Sequence, residues 1–213
     1  MEVSEKQGVW YAIVNIFAAS KKASGKWMKA EEKLKSDGVR YVEARTGHHG
    51  NAMSLTREAC ADGYRKFIAV GGDGTVHDVL EGIMFYLETA GPEVSLSDFT
   101  LAVIPVGSGN DWIKTANIPT NTNDAINIIC NGNTSLQDVG RATYHINGSK
   151  HIRYFVNTAG SGLDSIVINK VSQKKQIVKK RVQTNWYTYL PFLPNLLNTN
   201  RLKLHLKPII IQL

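Results

Sequence analysis

Cysteine is scarce in this chain: Cys60 and Cys130 are the only two among 213 residues, and they sit in unrelated segments without paired spacing. A disulfide scaffold and a cysteine-built zinc cluster are thereby excluded, and a reducing cytosol fits best. A long hydrophobic run is also missing. The longest aromatic and apolar stretch, Trp186 to Leu197, is broken by Pro191 and Pro194 and falls short of the roughly 20 residues that cross a bilayer. Residues 1–9 are charged and carry no apolar export segment. The expectation is a soluble, cytoplasmic protein, peripheral at most at the inner face of a membrane. Neither an internal repeat nor a low-complexity tract is evident.

Acid is missing from one end. Residues 165–213 hold nine Lys or Arg and no Asp or Glu, so the net charge of +7 less those nine leaves residues 1–164 at −2. The basicity belongs to the tail, where Trp186, Tyr187, Tyr189 and Phe192 stand beside leucines. Such a segment suits an anionic membrane surface as well as it suits solvent. No nucleic-acid module accompanies the charge, so nucleic acid is not an expected partner.

With 43% hydrophobic residues the chain can bury one good core and part of a second. Strand-like runs at Trp10–Phe17, Val39–Ala44, Lys66–Val70 and Thr100–Val106 alternate with helix-like segments at Ala23–Ser36, Asn51–Ala61 and Val76–Glu88. Gly38, Gly63 and Gly91-Pro92 read as helix stops. This alternation predicts an α/β fold, a three-layer α/β/α nucleotide-binding domain with a mostly parallel sheet, over residues 1–133. A further helix is read over Asp124–Cys130. Beyond it the pattern changes to Asp138–Ile146 and Arg153–Thr158, linked through Asn147-Gly148, a hairpin signal. Residues 134–213 thus read as the start of a β-rich, sandwich-like second domain. It includes a helix at Gln183–Asn198 and a last strand at Arg201–Ile211 that finds no partner in the sequence and would present an exposed edge. The expectation is a truncated second domain.

The strand Lys66–Val70 runs straight into Gly71-Gly72-Asp73-Gly74-Thr75, and the following helix has Val76, Val79, Leu80 and Ile83 at core-facing spacing. Glycines at a strand-to-helix turn can take positive φ and let backbone N–H groups close on an anion, while the helix N-terminus adds partial positive charge. The run reads as a phosphate cradle. Asp73 would repel a bare phosphate, so its place inside the cradle points to Mg²⁺, water on Mg²⁺, or a nucleotide hydroxyl. Thr75 can cap the helix and donate to a phosphate oxygen. For a lone GxG a tight turn would be the better reading; a five-residue run is more specific.

A second turn repeats the arrangement. Thr100–Val106 feeds Gly107-Ser108-Gly109-Asn110-Asp111 and then the short helix-like Trp112–Ala116, so two such loops should meet at one sheet edge. Ser108 and Asn110 are read as site residues, and Asp111 as a cap on the short helix. Thr46, after a strand and before Gly47, is placed for another phosphate contact. Asp78 can reach the nucleotide, and His77 and Glu81 are expected to pair on the helix surface. His48-His49 lacks carboxylate or cysteine partners at ligand spacing and reads as a solvated loop.

Together these residues resemble the catalytic domain of the diacylglycerol kinases and the related bacterial lipid kinases and sphingosine kinases. The GGDGT signature stands as Gly71–Thr75, with His77-Asp78 where the family usually has Asn-Glu. The proline-glycine-threonine loop and Asn-Asp pair appear as Pro105 to Asp111, with serine for threonine. Asp138-Val139-Gly140 and Phe155 to Asp164 resemble the entry into the family's β-sandwich domain. At the first strand Asn15 matches an Asn-Pro loop, without the proline. The resemblance implies ATP contacts from Asn15, Thr46, Gly72, Asp73, Gly74, Thr75, Val76, His77, Asp78, Ser108 and Asn110. It also implies Mg²⁺, with Asp73 as the residue of catalysis and metal binding, and transfer of the γ-phosphate to a lipid hydroxyl of diacylglycerol type.

The family's general base is an acid in its C-terminal domain, and this chain has none after Asp164. The resemblance therefore implies a chain that binds ATP yet transfers phosphate poorly. Expected partners are a lipid substrate, an anionic membrane surface and a second copy of the chain. Two rivals remain: an NAD kinase-like enzyme, which shares the GGDGT turn, and a non-catalytic nucleotide-binding remnant.

Overall fold

The computed structural model describes residues 3–15, 21–48, 50–106, 110–146, 149–157 and 208–212. In chain order these form α1 (Val3–Lys6), β1 (Trp10–Val14), α2 (Lys21–Ser36), β2 (Tyr41–Arg45), α3 (Asn51–Ala61), β3 (Lys66–Gly71) and α4 (Asp73–Leu87). After a 3₁₀ turn at Leu96–Asp98 come β4 (Thr100–Pro105), α5 (Trp112–Thr115), α6 (Thr122–Asn131), β5 (Leu136–Ile146), β6 (Ser149–Phe155) and β7 (Pro208–Gln212). The expected alternation of strand and helix is present, and α3 has the bounds read from sequence. Gly38 and Gly63, read as stops, have φ of 74° and 99°, a backbone region that costs glycine nothing. The expected helix at Gln183–Asn198 lies outside the described residues, as does the aromatic stretch Trp186–Leu197.

Each central strand is apolar on both faces because helices cover both. From β1, β3 and β4, the residues Ile13, Phe67, Ala69, Leu101 and Val103 pack with α3 and α4. Their neighbours Ala12, Val14, Ile68, Val70, Ile104 and Val106 pack on the other face, where α2 brings Trp27, Ala30 and Leu34 and α6 brings Ile126 and Ile129. Alternate residues of a strand point to opposite faces, so a continuous apolar run is what a doubly covered parallel strand requires. At roughly 1.5–3 kcal/mol for each large side chain taken from water, fully buried Phe67, Ile68, Leu80 and Ile104 hold these three layers together. Helices α3 and α4 approach closely: a Cβ on Gly82 would stand 2.6 Å from the Met53 carbonyl oxygen.

The strand order is β2-β1-β3-β4-β7-β5-β6. The first four are parallel. The chain passes from β1 to β2 on one side, then returns to place β3 on the other, so the crevice between β1 and β3 is the switch point of the sheet. Strands β5 and β6 form the expected antiparallel hairpin, in register from Gly140↔Phe155 to Ile146↔Ser149, with Asn147-Gly148 outside the described residues. Pairing begins right after that turn, four residues before the strand start read at Arg153, because the ladder accepts the polar residues Ser149 to His151.

One expectation is overturned. The last strand was expected to stand at an exposed edge, whereas β7 lies inside the sheet. It pairs antiparallel with β5 over five residues and parallel with β4 at Thr100↔Gln212. Its partners lie far back along the chain, where sequence periodicity cannot point to them.

Candidate functional site

The carboxyl ends of β1, β2 and β3 meet at the switch point. Backbone bonds extend the ladder one step past the strands, from the Asn15 N–H to the Val70 carbonyl and from the Thr46 N–H to the Val14 carbonyl, both 3.0 Å. This sets Asn15, Thr46 and the Gly71–Thr75 turn side by side. Asn15 Nδ2 donates to Thr75 Oγ1 at 3.0 Å, and Thr46 Oγ1 donates to Asn15 Oδ1 at 3.4 Å. Thr46 and Thr75 are both buried. Three residues singled out from separate stretches of sequence thus form one hydrogen-bonded chain.

The cradle differs in detail from its sequence reading. Its glycines were read as able to take positive φ; among the described glycines only Gly38, Gly50, Gly63 and Gly132 do so. Gly71 is glycine because of close approach: a Cβ there would stand 2.1 Å from Thr75 Oγ1. Gly72 occupies the N-cap of α4 in extended conformation, so Thr75 lies inside the first turn and is not the cap it was expected to be. Over Gly74 the space is open, with nothing within 4 Å of a Cβ position. The first N–H groups of a helix have no intrahelical acceptor. A glycine N-cap brings no side chain to them, and the opening over Gly74 is where an anion can approach.

Asp73 joins the two glycine turns. Its Oδ2 accepts from the Asp111 N–H at 2.8 Å and its Oδ1 from the Trp112 N–H at 3.2 Å. The cap on α5 is therefore supplied by Asp73 across the site, not by Asp111, whose carboxylate pairs with Lys114 at 2.8 Å. A side chain from the first turn of α4 reaches both N–H groups better than the N-cap residue, which is itself in helical conformation. Trp112 is fully buried, and its indole N–H finds no hydrogen-bond partner among the described residues. Ser108, with Gly107 and Gly109, lies outside the described residues, as do the residues after Asn15 and the run from Thr158 to Asp164.

Beyond the cradle, α4 carries Val76 into the core and His77 toward β6. His77 does pair with Glu81, Nε2 to Oε2 at 3.6 Å, but Glu81 is buried, not on the surface where the pair was expected. Sequence reading missed that burial; a carboxylate beside the apolar Leu80 and Ile83 was the available signal.

The donor set suits a nucleotide. Hydroxyls, an open helix N-terminus and an amide meet at one crevice, and Asp73 and Asp78 follow one another along the first turns of α4. Mg²⁺ is usually held by one or two carboxylates together with substrate phosphates and water, which matches this count. Among the described residues no three His, Cys, Asp or Glu side chains gather as a metal cluster; Asp73 and Asp78 are the carboxylates of α4 that could hold such an ion.

Comparison with known proteins gives consistent results. The family model described as diacylglycerol kinase catalytic domain matches residues 9–142. A diacylglycerol kinase of Mycobacterium tuberculosis is 33% identical over 159 residues, 74% of this chain and 46% of that protein. A probable lipid kinase YegS-like of Alcanivorax borkumensis is 31% identical over 129 residues, 61% of this chain and 37% of that protein. The crystal structure of a diacylglycerol kinase from Bacillus anthracis superposes with a TM-score of 0.59 at 27% identity, covering 78% of this chain and 56% of the other. The chain thus spans less than half the length of these two curated relatives.

Proposed function

The chain belongs to the diacylglycerol kinase catalytic-domain family, and from that premise we propose that it binds ATP at the β1–β3 crevice and serves transfer of the γ-phosphate to a lipid hydroxyl of diacylglycerol type. The observation that carries this reading is the bonded set Asn15–Thr75 and Asp73–Asp111–Trp112. It brings the two glycine turns together at the switch point of a parallel sheet, where ligands of such folds bind.

In this reading the N-terminus of α4 and the hydroxyl of Thr75, which keeps its proton while accepting from Asn15, hold phosphate oxygens, and Thr46 steadies Asn15 from the other side. Asn15 orients Thr75, Asp73 holds the start of α5, and Ser108 and Asn110 are the proposed nucleotide contacts from the second turn. Asp73 and Asp78 would hold Mg²⁺, which would supply charge neutralisation when bound. Phosphoryl transfer depends mainly on positioning and such neutralisation. Residues 1–133 act as the nucleotide domain, and residues 134–213 as part of the unit that faces the lipid.

Among the described residues no helix is long and apolar enough to cross a membrane; in this reading the lipid is met at a surface. The basic tail is the proposed contact with anionic headgroups, alongside self-association as a homodimer. Sedimentation with anionic against zwitterionic vesicles tests the first, and scattering mass the second.

The test of function is calorimetric titration of residues 1–213 with ATP and Mg²⁺, paired with transfer of labelled phosphate to diacylglycerol in mixed micelles. Micromolar binding supports the reading; no binding overturns it. Labelling of NAD with no lipid labelled would favour the NAD kinase-like alternative. Binding without any transfer would favour a nucleotide-binding remnant.

A further inference from the structure

At the opposite end of the parallel strands from the crevice lies a cavity of about 230 Å³, and all of its lining belongs to the described residues. It reaches from Trp10 on β1 to Thr100 and Ala102 on β4, two strands over. At about 4.8 Å between neighbouring strands, that span is roughly 10 Å. Helix α6 covers it with Ala125 and Ile129, and the turn after α5 closes one side with Ile118. Leu101, Val103, Ala125 and Ile129 are buried and make an apolar floor. Asn117, Asn133, Thr134 and Ser135 stand exposed around the mouth.

Charge and backbone direction say what such a cavity can hold. No Lys, Arg, His, Asp or Glu lines it. Lys66, between Trp10 and Thr100 in the sheet, turns its ammonium over the Trp10 ring, 5.9 Å from the centre. A charged ligand would lose its hydration here without gaining a partner, so the occupant is uncharged. The cavity also meets the outer edge of β4. Thr100 and Val106 donate their N–H groups toward β3, to the Arg65 and Gly71 carbonyls, so by alternation along the strand the peptide group of Val103 points away from β3. On that side β7 pairs with β4 at Thr100 alone, which leaves Val103 without a strand partner among the described residues. Backbone polar groups need a hydrogen-bond partner, and a polar head group can supply one. An apolar cavity of about 150 Å³ already takes benzene. One half as large again, rimmed by amides and hydroxyls, suits a chain of about eight carbons ending in a hydroxyl or amide.

We propose that this cavity binds a neutral amphiphile with one medium-length alkyl chain, the chain on the floor under α6 and the head at the rim of Asn117 and Ser135. Thr100 stands about 16 Å along β4 from Pro105, and Pro105 pairs with Gly71 of the cradle. The site is therefore separate from the nucleotide crevice and independent of the kinase reading.

The experiment titrates residues 1–213 calorimetrically with 1-octanol, with octanoate as its charged counterpart, and with ATP and Mg²⁺. One saturable 1-octanol site is expected, with a dissociation constant of about 0.1–1 mM for a ligand of this size, and octanoate is expected to bind about 10-fold more weakly or worse. Ala125→Phe fills the floor and is expected to weaken 1-octanol about 10-fold or more. Should that variant fail to fold, Ser135→Trp, at an exposed position, blocks the mouth with the same expected loss. ATP affinity is expected to stay within about two-fold in both, and saturating ATP is expected to leave 1-octanol binding unchanged. Absence of a saturable 1-octanol site overturns the proposal. So does octanoate binding as tightly as 1-octanol, a folded variant that binds 1-octanol as the unaltered chain does, or displacement of 1-octanol by ATP. A chain that binds 1-octanol but no ATP upholds this site and sinks the kinase reading, so the two failures are told apart.

Discussion

Strand β3 ends in two different ways. Just before it, Arg65 is spent on the protein: Nη1 donates to the Cys60 and Tyr64 carbonyls at 2.9 and 2.8 Å, Nη2 to the Tyr86 hydroxyl at 3.4 Å. Its guanidinium also lies 5.0 Å from the centre of the Phe99 ring. At the other end Gly71 and Gly72 bring no side chain, and α4 starts with its N–H groups turned to an opening. One end consumes polar groups to hold the layers together, and the other leaves them for a ligand. Substitutions at the two ends should therefore separate stability from binding.

The sharpest challenge to that separation is Gly71→Ala. Its Cβ would meet the buried Thr75 side chain, and such overpacking costs about 3 kcal/mol, so a change at the ligand end is expected to lower the urea midpoint and abolish ATP binding together. Arg65→Ala comes next, at about 2 kcal/mol for lost charge-assisted bonds, with the ATP dissociation constant held within about two-fold. A convenient readout is Cys60. Burial pushes its thiol up to about 12, so a thiol reagent at mildly alkaline pH labels it only on opening, and faster in Arg65→Ala. Asp73→Ala is expected to cost about 1 kcal/mol of stability, leaving two N–H groups without their acceptor, while weakening ATP about 10-fold; equal loss in both would blur the contrast. Smallest in stability is Gly74→Ala. Its Cβ meets nothing, so stability should hold or rise by about 0.5 kcal/mol, yet ATP affinity should fall because the methyl fills the opening. Unchanged affinity would place the ligand elsewhere.

What could be read from sequence was what repeats locally. The strands of the parallel half are continuous apolar runs, α3 ends before Gly63, and the sequence between the two hairpin strands carries Asn-Gly, so periodicity and turn chemistry sufficed. Asn15, Thr46 and Thr75 were each nameable, but their hydrogen bonds span up to sixty positions, a separation no local pattern reports. The same limit hid the link from Asp73 to α5 and the burial of Glu81 against β6. Gly71 shows a subtler loss: glycine was legible, its reason was not, since close packing against Thr75 and positive φ select the same residue.

The seam of the sheet carries an order of assembly. Strand β6 ends at Phe155 and β7 begins at Pro208, so the parallel half and the hairpin are both synthesised well before the strand that stands between them. Five residue pairs tie β7 to β5 and one ties it to β4. A three-stranded antiparallel piece is thus expected to form as its own cooperative unit and to meet the parallel half late, because contacts between segments far apart in sequence are slow to form. On the ribosome, the nucleotide crevice would be complete before its neighbour is in place.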